Sequence, residues 1–311
     1  MADARVAFGL HFRSELELPE LPELAPGGEG EPDVLIRLGD LPQRLDGAAR
    51  VKRRGWATPD AFLFEATGVA RYLVSGGAEV VVEPCLGAEA SHIRTFLLGS
   101  VLGALCYQRG LIPLHANALE SDGRAIAIAG DSGAGKSTLA AHLSRRGYRV
   151  MGDDVCALSF EADGRVMVWP GARRFKLWAD ALAAFDLDTV GLEKVVGGRD
   201  KYVLPHERED APDPAPLDRL YVLATAAPGG PGAIRQLGGK DAFEALIGNA
   251  YRLEIAAAMG RRAEVFARAI ETLRQASVFV FERRWGFDVL AEESAALEAH
   301  FRPSARPGGD A

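Results

Sequence analysis

The run Gly130-Asp131-Ser132-Gly133-Ala134-Gly135-Lys136-Ser137-Thr138 decides how this chain is interpreted. It reads GxxxxGK[ST] and stands between an alternating apolar run, 125–129, and a helical pattern, 139–146. A strand, a glycine-rich turn and a helix in this order are the context of a phosphate-binding loop. The glycines let backbone N–H groups turn inward around phosphates, and the helix N-terminus adds partial positive charge. The sequence therefore predicts a nucleoside triphosphate site at this run.

Two side chains of the loop have predicted roles of their own. Lys136 is expected to contact the β- and γ-phosphates, and the Ser137 hydroxyl to help hold Mg²⁺. The alternative is a glycine turn that caps a helix and binds nothing, but every fixed position of the motif is present in the right context. The other loop residues expected at the nucleotide are Gly130, Asp131, Ser132, Gly133, Ala134, Gly135 and Thr138.

The composition is that of an ordinary globular protein. The chain has 311 residues, of which 48% are hydrophobic and 25% charged, and its formal net charge is −7. Nucleic acid is not an expected partner, because such binding depends on clustered Lys and Arg and only 50–54 comes near a basic block. The three cysteines are scattered, and the sequence starts without a signal-peptide core. The apolar run 96–107 is too short to span a bilayer. These features favour a cytoplasmic protein with no membrane partner.

The chain is expected to be α/β with two parts and a tail. Residues 1–90 contain short alternating runs split by glycines, which predict a small β-rich accessory domain. Within it, the Pro/Gly/Glu-rich stretch 19–32 is expected to be an unpacked loop. Residues 91–301 alternate strand-like and helical patterns and are expected to form the catalytic domain. The Pro/Gly-rich end, 302–311, is expected to be a flexible tail.

Two adjacent carboxylates, Asp153 and Asp154, follow the strand after the loop helix. Open α/β sheets bind ligands at the carboxyl ends of their strands, so this pair is expected beside the phosphates. Phosphoryl transfer needs a metal held by hard oxygens and a group that positions or deprotonates the acceptor, and the pair could supply both. A plain Asp-Asp turn is the alternative. His115 precedes a strand expected beside the loop, where it could orient an aspartate, contact the transferred phosphate or be merely structural.

Taken together, these residues resemble the catalytic domain of HPr kinase/phosphorylase. In that family a histidine, a GDSGxGKS loop, an RGHRL-type strand and paired aspartates occur in this order. The matching positions here are His115, 130–137, Arg146-Gly147-Tyr148-Arg149 and Asp153-Asp154. The resemblance is close over 111–158 and looser over 91–290. It implies a P-loop kinase domain of the HPr kinase/PEP carboxykinase type that uses ATP and Mg²⁺.

The resemblance also implies roles for single residues. Asp153 resembles the general base that takes the proton of a serine hydroxyl, and His115 the histidine beside that base. Asp154 and Ser137 resemble the metal-binding groups, and Lys136 the phosphate contact. The roles of the two aspartates could be reversed.

The chain departs from this family after the aspartates. The family's Glu-x-Arg-Gly-Leu-Gly run is absent, and Trp169-Pro-Gly-Ala-Arg-Arg-Phe-Lys-Leu-Trp178 stands in its place. The family's N-terminal domain is not recognisable in 1–90 either. The Pro-Gly-x-x-Arg-x-x-Leu-Trp pattern is instead similar to the HPr-kinase-like enzymes found with lasso-peptide biosynthesis, which modify a precursor peptide, typically at its C-terminal serine. This resemblance implies an ATP-dependent serine kinase that acts on such a peptide.

Five basic residues are candidates for the substrate side of the site, because guanidinium and ammonium groups suit phosphate and carboxylate. Arg173, Arg174 and Lys176 could hold phosphate or a peptide carboxylate, and Arg199 and Lys201 could close over the γ-phosphate. Each could also be a solvated surface charge. Three other functions stay open: an HPr-type kinase of a folded carrier protein, a kinase of a small molecule, and a regulatory nucleotide-binding module without chemistry. A homo-oligomer is also left open.

Overall fold

The structure is a computed structural model that describes residues 3–25, 30–52, 55–197, 200–206 and 213–301. In this part of the chain the strands form three sheets, and helices pack against them. The protein is therefore mixed α/β, as the sequence predicts. The predicted tail lies outside the described residues.

The first sheet is built from residues 3–84 and contains eight described strands. Its strand order is β1-β2-β3-β8-β7-β6-β5-β4. The strands are β1 (Asp3–Ala7), β2 (Leu10–Ser14), β3 (Val34–Leu38), β4 (Ala49–Val51), β5 (Gly55–Ala57), β6 (Ala61–Ala66), β7 (Ala70–Ser75) and β8 (Glu79–Pro84). Consecutive strands from β4 to β8 pair antiparallel, as expected for hairpins, whereas β3 pairs parallel with both β2 and β8.

The Pro/Gly-rich stretch of this region is packed at its beginning. Leu21 is buried in the hydrophobic core. The Glu20 carboxylate accepts hydrogen bonds from Arg94 at 2.9 Å and Arg174 at 3.0 Å. The prediction of an unpacked loop is therefore wrong for 19–25, because Leu21 is buried in the core and the Glu20 carboxylate pairs with Arg94 and Arg174, which lie far along the chain. The remainder of the stretch lies partly outside the described residues.

The second sheet carries the predicted phosphate loop. Its described strands are β9 (Ile112–Leu114), β10 (Ala116–Ser121), β11 (Arg124–Gly130), β12 (Arg149–Gly152), β13 (Cys156–Phe160), β14 (Val166–Trp169), β18 (Ala215–Thr225), β19 (Ala233–Leu237) and β20 (Ser277–Arg283). Strands β11, β18 and β20 run parallel. Strand β12 has the same direction, because β11 and β12 each pair antiparallel with β10. The carboxyl ends of these four strands and the start of β10 therefore lie at one edge of the sheet.

The third sheet has the order β15-β17-β16 and is formed by β15 (Arg174–Trp178), β16 (Glu193–Lys194) and β17 (Lys201–Pro205). The helices are α1 (Ala90–Phe96), α2 (Leu102–Gln108), α3 (Lys136–Arg145), α4 (Ala179–Ala184), α5 (Gly239–Gly248), α6 (Leu253–Ala258), α7 (Arg262–Leu273) and α8 (Leu290–Phe301), with a π-helical turn, Leu97–Val101, joining α1 to α2. No helix in the described ranges has both the length and the apolarity needed to cross a bilayer.

Two clusters of buried apolar side chains hold these layers together. The first includes residues of the first sheet and of α1 and α2, so it extends across the predicted boundary at residue 90, and the division into an accessory and a catalytic domain stays a prediction. In the second cluster, Leu139 and Leu143 of α3 lie with Phe175 and Leu177 of β15. Successive strand residues point to opposite faces, so Lys176 faces away from that cluster.

Candidate functional site

The predicted phosphate loop leaves the end of β11 through three glycines with positive φ. Gly130, Gly133 and Gly135 have φ values of +137°, +92° and +83°, a region that glycine adopts readily and other residues do not. A Cβ at Gly130 would also lie only 3.1 Å from the carbonyl oxygen of Leu223 in β18. The Gly130 N–H donates to Asn249 Oδ1 at 3.0 Å. The start of the loop is thus held between β18 and the end of α5.

Lys136 is the first residue of α3, and only 7% of it is exposed. Its ammonium group contacts Gly130 O at 2.7 Å, Asp131 O at 3.1 Å and His115 Nε2 at 3.1 Å. Because Nε2 accepts this hydrogen bond, the hydrogen-bond network assigns the proton of a neutral His115 ring to Nδ1. Burial lowers the pKa of the Lys136 amine, and nearby carboxylates counter this effect.

Asp153 directly follows β12, and only 4% of it is exposed. Its Oδ1 accepts hydrogen bonds from Ser137 Oγ at 2.8 Å and from Asn117 Nδ2 at 2.5 Å. Its Oδ2 accepts from the backbone N–H of Lys176 at 3.3 Å. Burial and the neighbouring Asp154 carboxylate raise the pKa of Asp153. This carboxylate is therefore fixed at the beginning of the loop helix.

Asp154 has a left-handed backbone, with φ +74°, and its side chain is 25% exposed. Its Oδ2 pairs with Lys176 Nζ at 2.8 Å, and its Oδ1 lies 3.2 Å from His115 Nδ1. Burial opposes its ionisation, but Lys176 and His115 outweigh burial and hold the pKa of Asp154 well below its usual range. The adjacent aspartates thus differ: Asp153 is buried against Ser137, whereas Asp154 is ion-paired and more accessible.

One cavity of about 390 Å³ joins the loop to these aspartates. That volume lies within the range of small-molecule sites, about 300–1,000 Å³. The structure therefore brings the predicted loop, both aspartates and His115 around a single space, together with two of the five predicted basic residues. The polar side chains that line it include His115, Asn117, Ser137, Lys136, Asp153, Asp154, Lys176, Lys201 and Arg283.

Two of the predicted basic residues, Arg173 and Arg174, do not line this cavity. Arg174 is buried and pairs with Glu20 Oε1 at 3.0 Å. Burying a guanidinium requires a counter-charge, and the N-terminal segment supplies it. The Arg173 N–H donates to the Glu20 carbonyl at 2.9 Å, and Arg173 does not line the cavity. Arg199 lies outside the described residues.

Lys201 presents an ammonium group to the cavity. Its Nζ lies 5.5 Å from the centre of the Trp178 ring. Burial lowers the pKa of Lys201, while the carboxylates of Asp153 and Asp154 favour its charged form. Among the described residues no carboxylate lies within ion-pair distance of this amine. The amine is therefore suited to an anionic ligand.

Sequence reasoning missed several polar residues of the site, among them Asn117 and Arg283. Asn117 is the second residue of β10 and follows His115, which lies between β9 and β10, by two positions; both line the cavity. Arg283 ends β20, is buried, and donates from Nη2 to Ala134 O of the loop at 2.7 Å. The rule that ligands bind at the carboxyl ends of strands could have identified Arg283, but only once the position of β20 in the sheet was known.

The residues present fit a magnesium ion. Within the described ranges, no cluster of three or more His, Cys, Asp or Glu side chains forms an all-protein metal site. Mg²⁺ is usually held by one or two carboxylates together with substrate phosphates and water. Asp153 Oδ1 and Ser137 Oγ, which lie 2.8 Å apart, supply hard oxygens beside the loop. A cation there would also relieve the repulsion between Asp153 and Asp154.

Similarity to known proteins is found among solved structures. No protein-family model matches the chain, and no curated protein matches it. Among solved structures, the chain is similar to the HPr(Ser) kinase/phosphatase from Coxiella burnetii, with a TM-score of 0.31 and 15% sequence identity. The match covers 60% of this chain and 89% of that one. This similarity is weak.

Proposed function

We propose that the protein is an ATP-dependent phosphotransferase that moves the γ-phosphoryl group of ATP to a hydroxyl group. The observation that carries the proposal is that Lys136 of the glycine loop and the Asp153-Asp154 pair line one cavity. A phosphate cradle, hard oxygens for a metal and a carboxylate for the acceptor are the parts that phosphoryl transfer requires. A module that only binds nucleotide has no need of the Asp154 arrangement with Lys176 and His115.

We assign the two aspartates in the reverse of the order that the family resemblance implies. Asp153 accepts a hydrogen bond from the hydroxyl of Ser137 and is almost fully buried, which supports a role in holding Mg²⁺. Asp154 is the more exposed of the two and faces the cavity beside Lys176. A general base must come within about 2.6–3.2 Å of the hydroxyl that it deprotonates, so the accessible carboxylate suits that role.

In the proposed step the acceptor oxygen forms a bond to the γ-phosphorus while the bond from that phosphorus to the β–γ bridging oxygen breaks. ADP leaves, and the hydroxyl proton passes to the carboxylate of Asp154. Lys136 and Lys201 stabilise negative charge on the phosphates, while Lys176 and His115 hold Asp154 in position. When bound, Mg²⁺ neutralises charge that develops on the phosphates.

For the acceptor we propose a serine of a ribosomal precursor peptide of the lasso type, at its C-terminal position. The support is the sequence pattern at 169–178, which ends in β15 and contributes Lys176 and Trp178 to the cavity. A folded carrier protein of the HPr type and a small-molecule alcohol are the competing acceptors of the same chemistry.

The proposal is tested by incubating the protein with Mg·ATP and peptides that end in serine, with alanine-ended peptides alongside. Mass spectrometry then measures the gain of one phosphate. Because general-base catalysis contributes about 10²–10⁴-fold, we expect Asp154→Asn to lose at least about 100-fold in rate. Asp163→Asn is the matched control, since Asp163 lies in the turn between β13 and β14 and pairs with Arg165 on the surface.

Full activity of Asp154→Asn would show that Asp154 is not the base. If phosphate is transferred to carrier proteins or small alcohols but not to any serine-ended peptide, the proposed peptide acceptor is wrong. Absence of ATP binding by the unaltered protein would contradict the kinase proposal as a whole.

A further inference from the structure

Two exposed aromatic rings stand at the cavity that contains Lys136. Trp285 is 61% exposed and Phe287 is 44% exposed, and both belong to the connection between β20 and α8. Both line the same cavity as the glycine loop and the aspartates. Two large apolar rings exposed at the same cavity are informative, because exposed apolar patches mark binding sites whereas single exposed apolar residues do not.

Two contacts place the ring of Trp285 beside the phosphate loop, one of them through Arg283. The guanidinium of Arg283 lies 5.0 Å from the centre of the Trp285 ring and donates to Ala134 O of the loop at 2.7 Å. A Cβ placed on Gly135 would lie 3.6 Å from Cζ3 of Trp285, so the ring packs beside the loop backbone. The ring is therefore positioned relative to the phosphate cradle rather than placed at random on the surface.

The cavity is lined by both charged and apolar side chains. The charged ones include Lys136, both aspartates, Lys176 and Lys201, and the apolar ones include Trp285, Phe287 and Leu290. A nucleotide held by its phosphates at Lys136 and the loop also carries a flat, uncharged base, which an aromatic ring beside the loop can contact.

We propose that Trp285, assisted by Phe287, stacks on the purine base of the bound nucleotide. This inference rests on the proposed function and assigns the part of the substrate that the phosphate loop does not recognise. Stacking uses the face of the base and not its hydrogen-bonding edge, so it tolerates different bases. We therefore expect adenine and guanine nucleotides to depend on Trp285 alike.

The experiment compares two ligands with the same phosphate chain. Isothermal titration calorimetry in Mg²⁺ measures the dissociation constants of ATP and of inorganic tripolyphosphate for the unaltered protein, Trp285→Ala and Trp285→Phe. We expect Trp285→Ala to weaken ATP binding by about tenfold or more, the size of one base–aromatic stack. Tripolyphosphate affinity should stay within about twofold, because the ligand has no base, and Trp285→Phe should keep most of the ATP affinity.

Trp56→Ala is the matched control. Trp56 lies on β5 of the first sheet with the Arg50 guanidinium 5.7 Å from its ring centre, so this variant also removes a tryptophan paired with an arginine, but away from the cavity. We expect it to leave both affinities unchanged.

Three results would overturn the inference. Equal losses for ATP and tripolyphosphate in Trp285→Ala would mean that the ring only supports the loop. Unchanged ATP affinity, with a raised KM for a peptide acceptor, would assign the ring to the acceptor instead and leave the kinase proposal standing. Absence of binding of either ligand to the unaltered protein would overturn both the stacking inference and the kinase proposal.

Discussion

The hydroxyl of Ser137 donates a 2.8 Å hydrogen bond to Oδ1 of Asp153, and this contact joins the first turn of α3 to the end of β12. The two residues come from separate strand–loop connections at the same edge of the second sheet. Their oxygen atoms are hard donors at the cavity, beside the Asp154 carboxylate that is held by Lys176 and His115. The proposed division between a metal side and an acceptor side is based on this arrangement.

Removing either member of the Ser137–Asp153 pair should weaken the binding of magnesium rather than the fold. We expect Ser137→Ala and Asp153→Asn each to raise the Mg²⁺ concentration for half-maximal activity by about tenfold or more. Because the two groups contact one another, the double variant should lose less than the sum of the single losses. Ser159→Ala, at a hydroxyl bonded to Trp169 outside the cavity, serves as the control. An unchanged magnesium requirement in both single variants would rule out this metal site.

Gly135 and Gly164 have nearly equal φ, so a comparison of their alanine variants distinguishes backbone strain from steric crowding. Gly135 has φ +83° and Gly164 has φ +87°, but a Cβ at Gly135 would clash with the Arg283 guanidinium, whereas nothing lies within 4 Å of one at Gly164. We expect Gly164→Ala to lower the free energy of unfolding by about 1–2 kcal/mol, the cost of a left-handed conformation. Gly135→Ala should cost more and should also weaken ATP binding. Chemical denaturation measures the first effect and calorimetry the second; equal costs with unaltered ATP affinity would contradict the packing of Arg283 on the loop.

His300 of α8 should make the stability of the protein depend on pH. Burial and Arg219 lower the pKa of His300, and Tyr221 Oη lies 2.6 Å from its Nδ1. A histidine in the unfolded chain has a pKa of about 6.5, so between that value and the folded pKa the unfolded chain binds more protons. The stabilisation is therefore complete above about pH 6.5 and is lost as the pH falls through the folded pKa.

We expect the Tm of His300→Gln to fall less than that of the unaltered protein between about pH 7.5 and pH 5, measured by differential scanning calorimetry. His142, whose pKa burial also lowers, would retain part of the pH dependence in this variant. Identical pH profiles for the two proteins would contradict the assignment to His300.

The sequence predicts the loop and the aspartates because their placement depends on local chain order. The glycine turn follows one strand and the carboxylate pair follows another. If two strands of a sheet run in the same direction, the residues that follow them lie at the same edge, and β11 and β12 do run in the same direction. His115 reaches the same edge because β10 runs antiparallel between them. The rule that ligands bind at the carboxyl ends of strands requires no knowledge of contacts between distant segments.

The basic residues were harder to place, because their positions depend on pairings between distant segments. Arg174 and Lys176 stand two positions apart, yet Glu20 of the first sheet region binds Arg174 and Asp154 binds Lys176. Lys201 reaches the cavity because β17 pairs with β15. Both strands are only five residues long, and although Phe175 and Leu177 alternate with polar residues in β15, so short a pattern does not indicate which strand pairs with it.

The two exposed aromatic rings at the cavity were also not predicted from the sequence. Trp285 and Phe287 lie in the short connection between β20 and α8, where no sequence motif marks them. Their position beside the loop depends on β20 pairing with β18, and β18 with β11. Only the order of strands in the sheet reveals that these rings and Gly135 are neighbours.

The central claim, that the cavity at Lys136 holds the phosphates of ATP, is tested most directly by calorimetric titration of Mg·ATP. We expect the unaltered protein to bind one equivalent and Lys136→Ala to bind about 10- to 100-fold more weakly, the worth of charged hydrogen bonds of about 1.5–3 kcal/mol. Lys240→Ala removes an exposed lysine of α5 that pairs with Glu244, and it should bind as the unaltered protein does. Equal affinity of Lys136→Ala and the unaltered protein would contradict the claim.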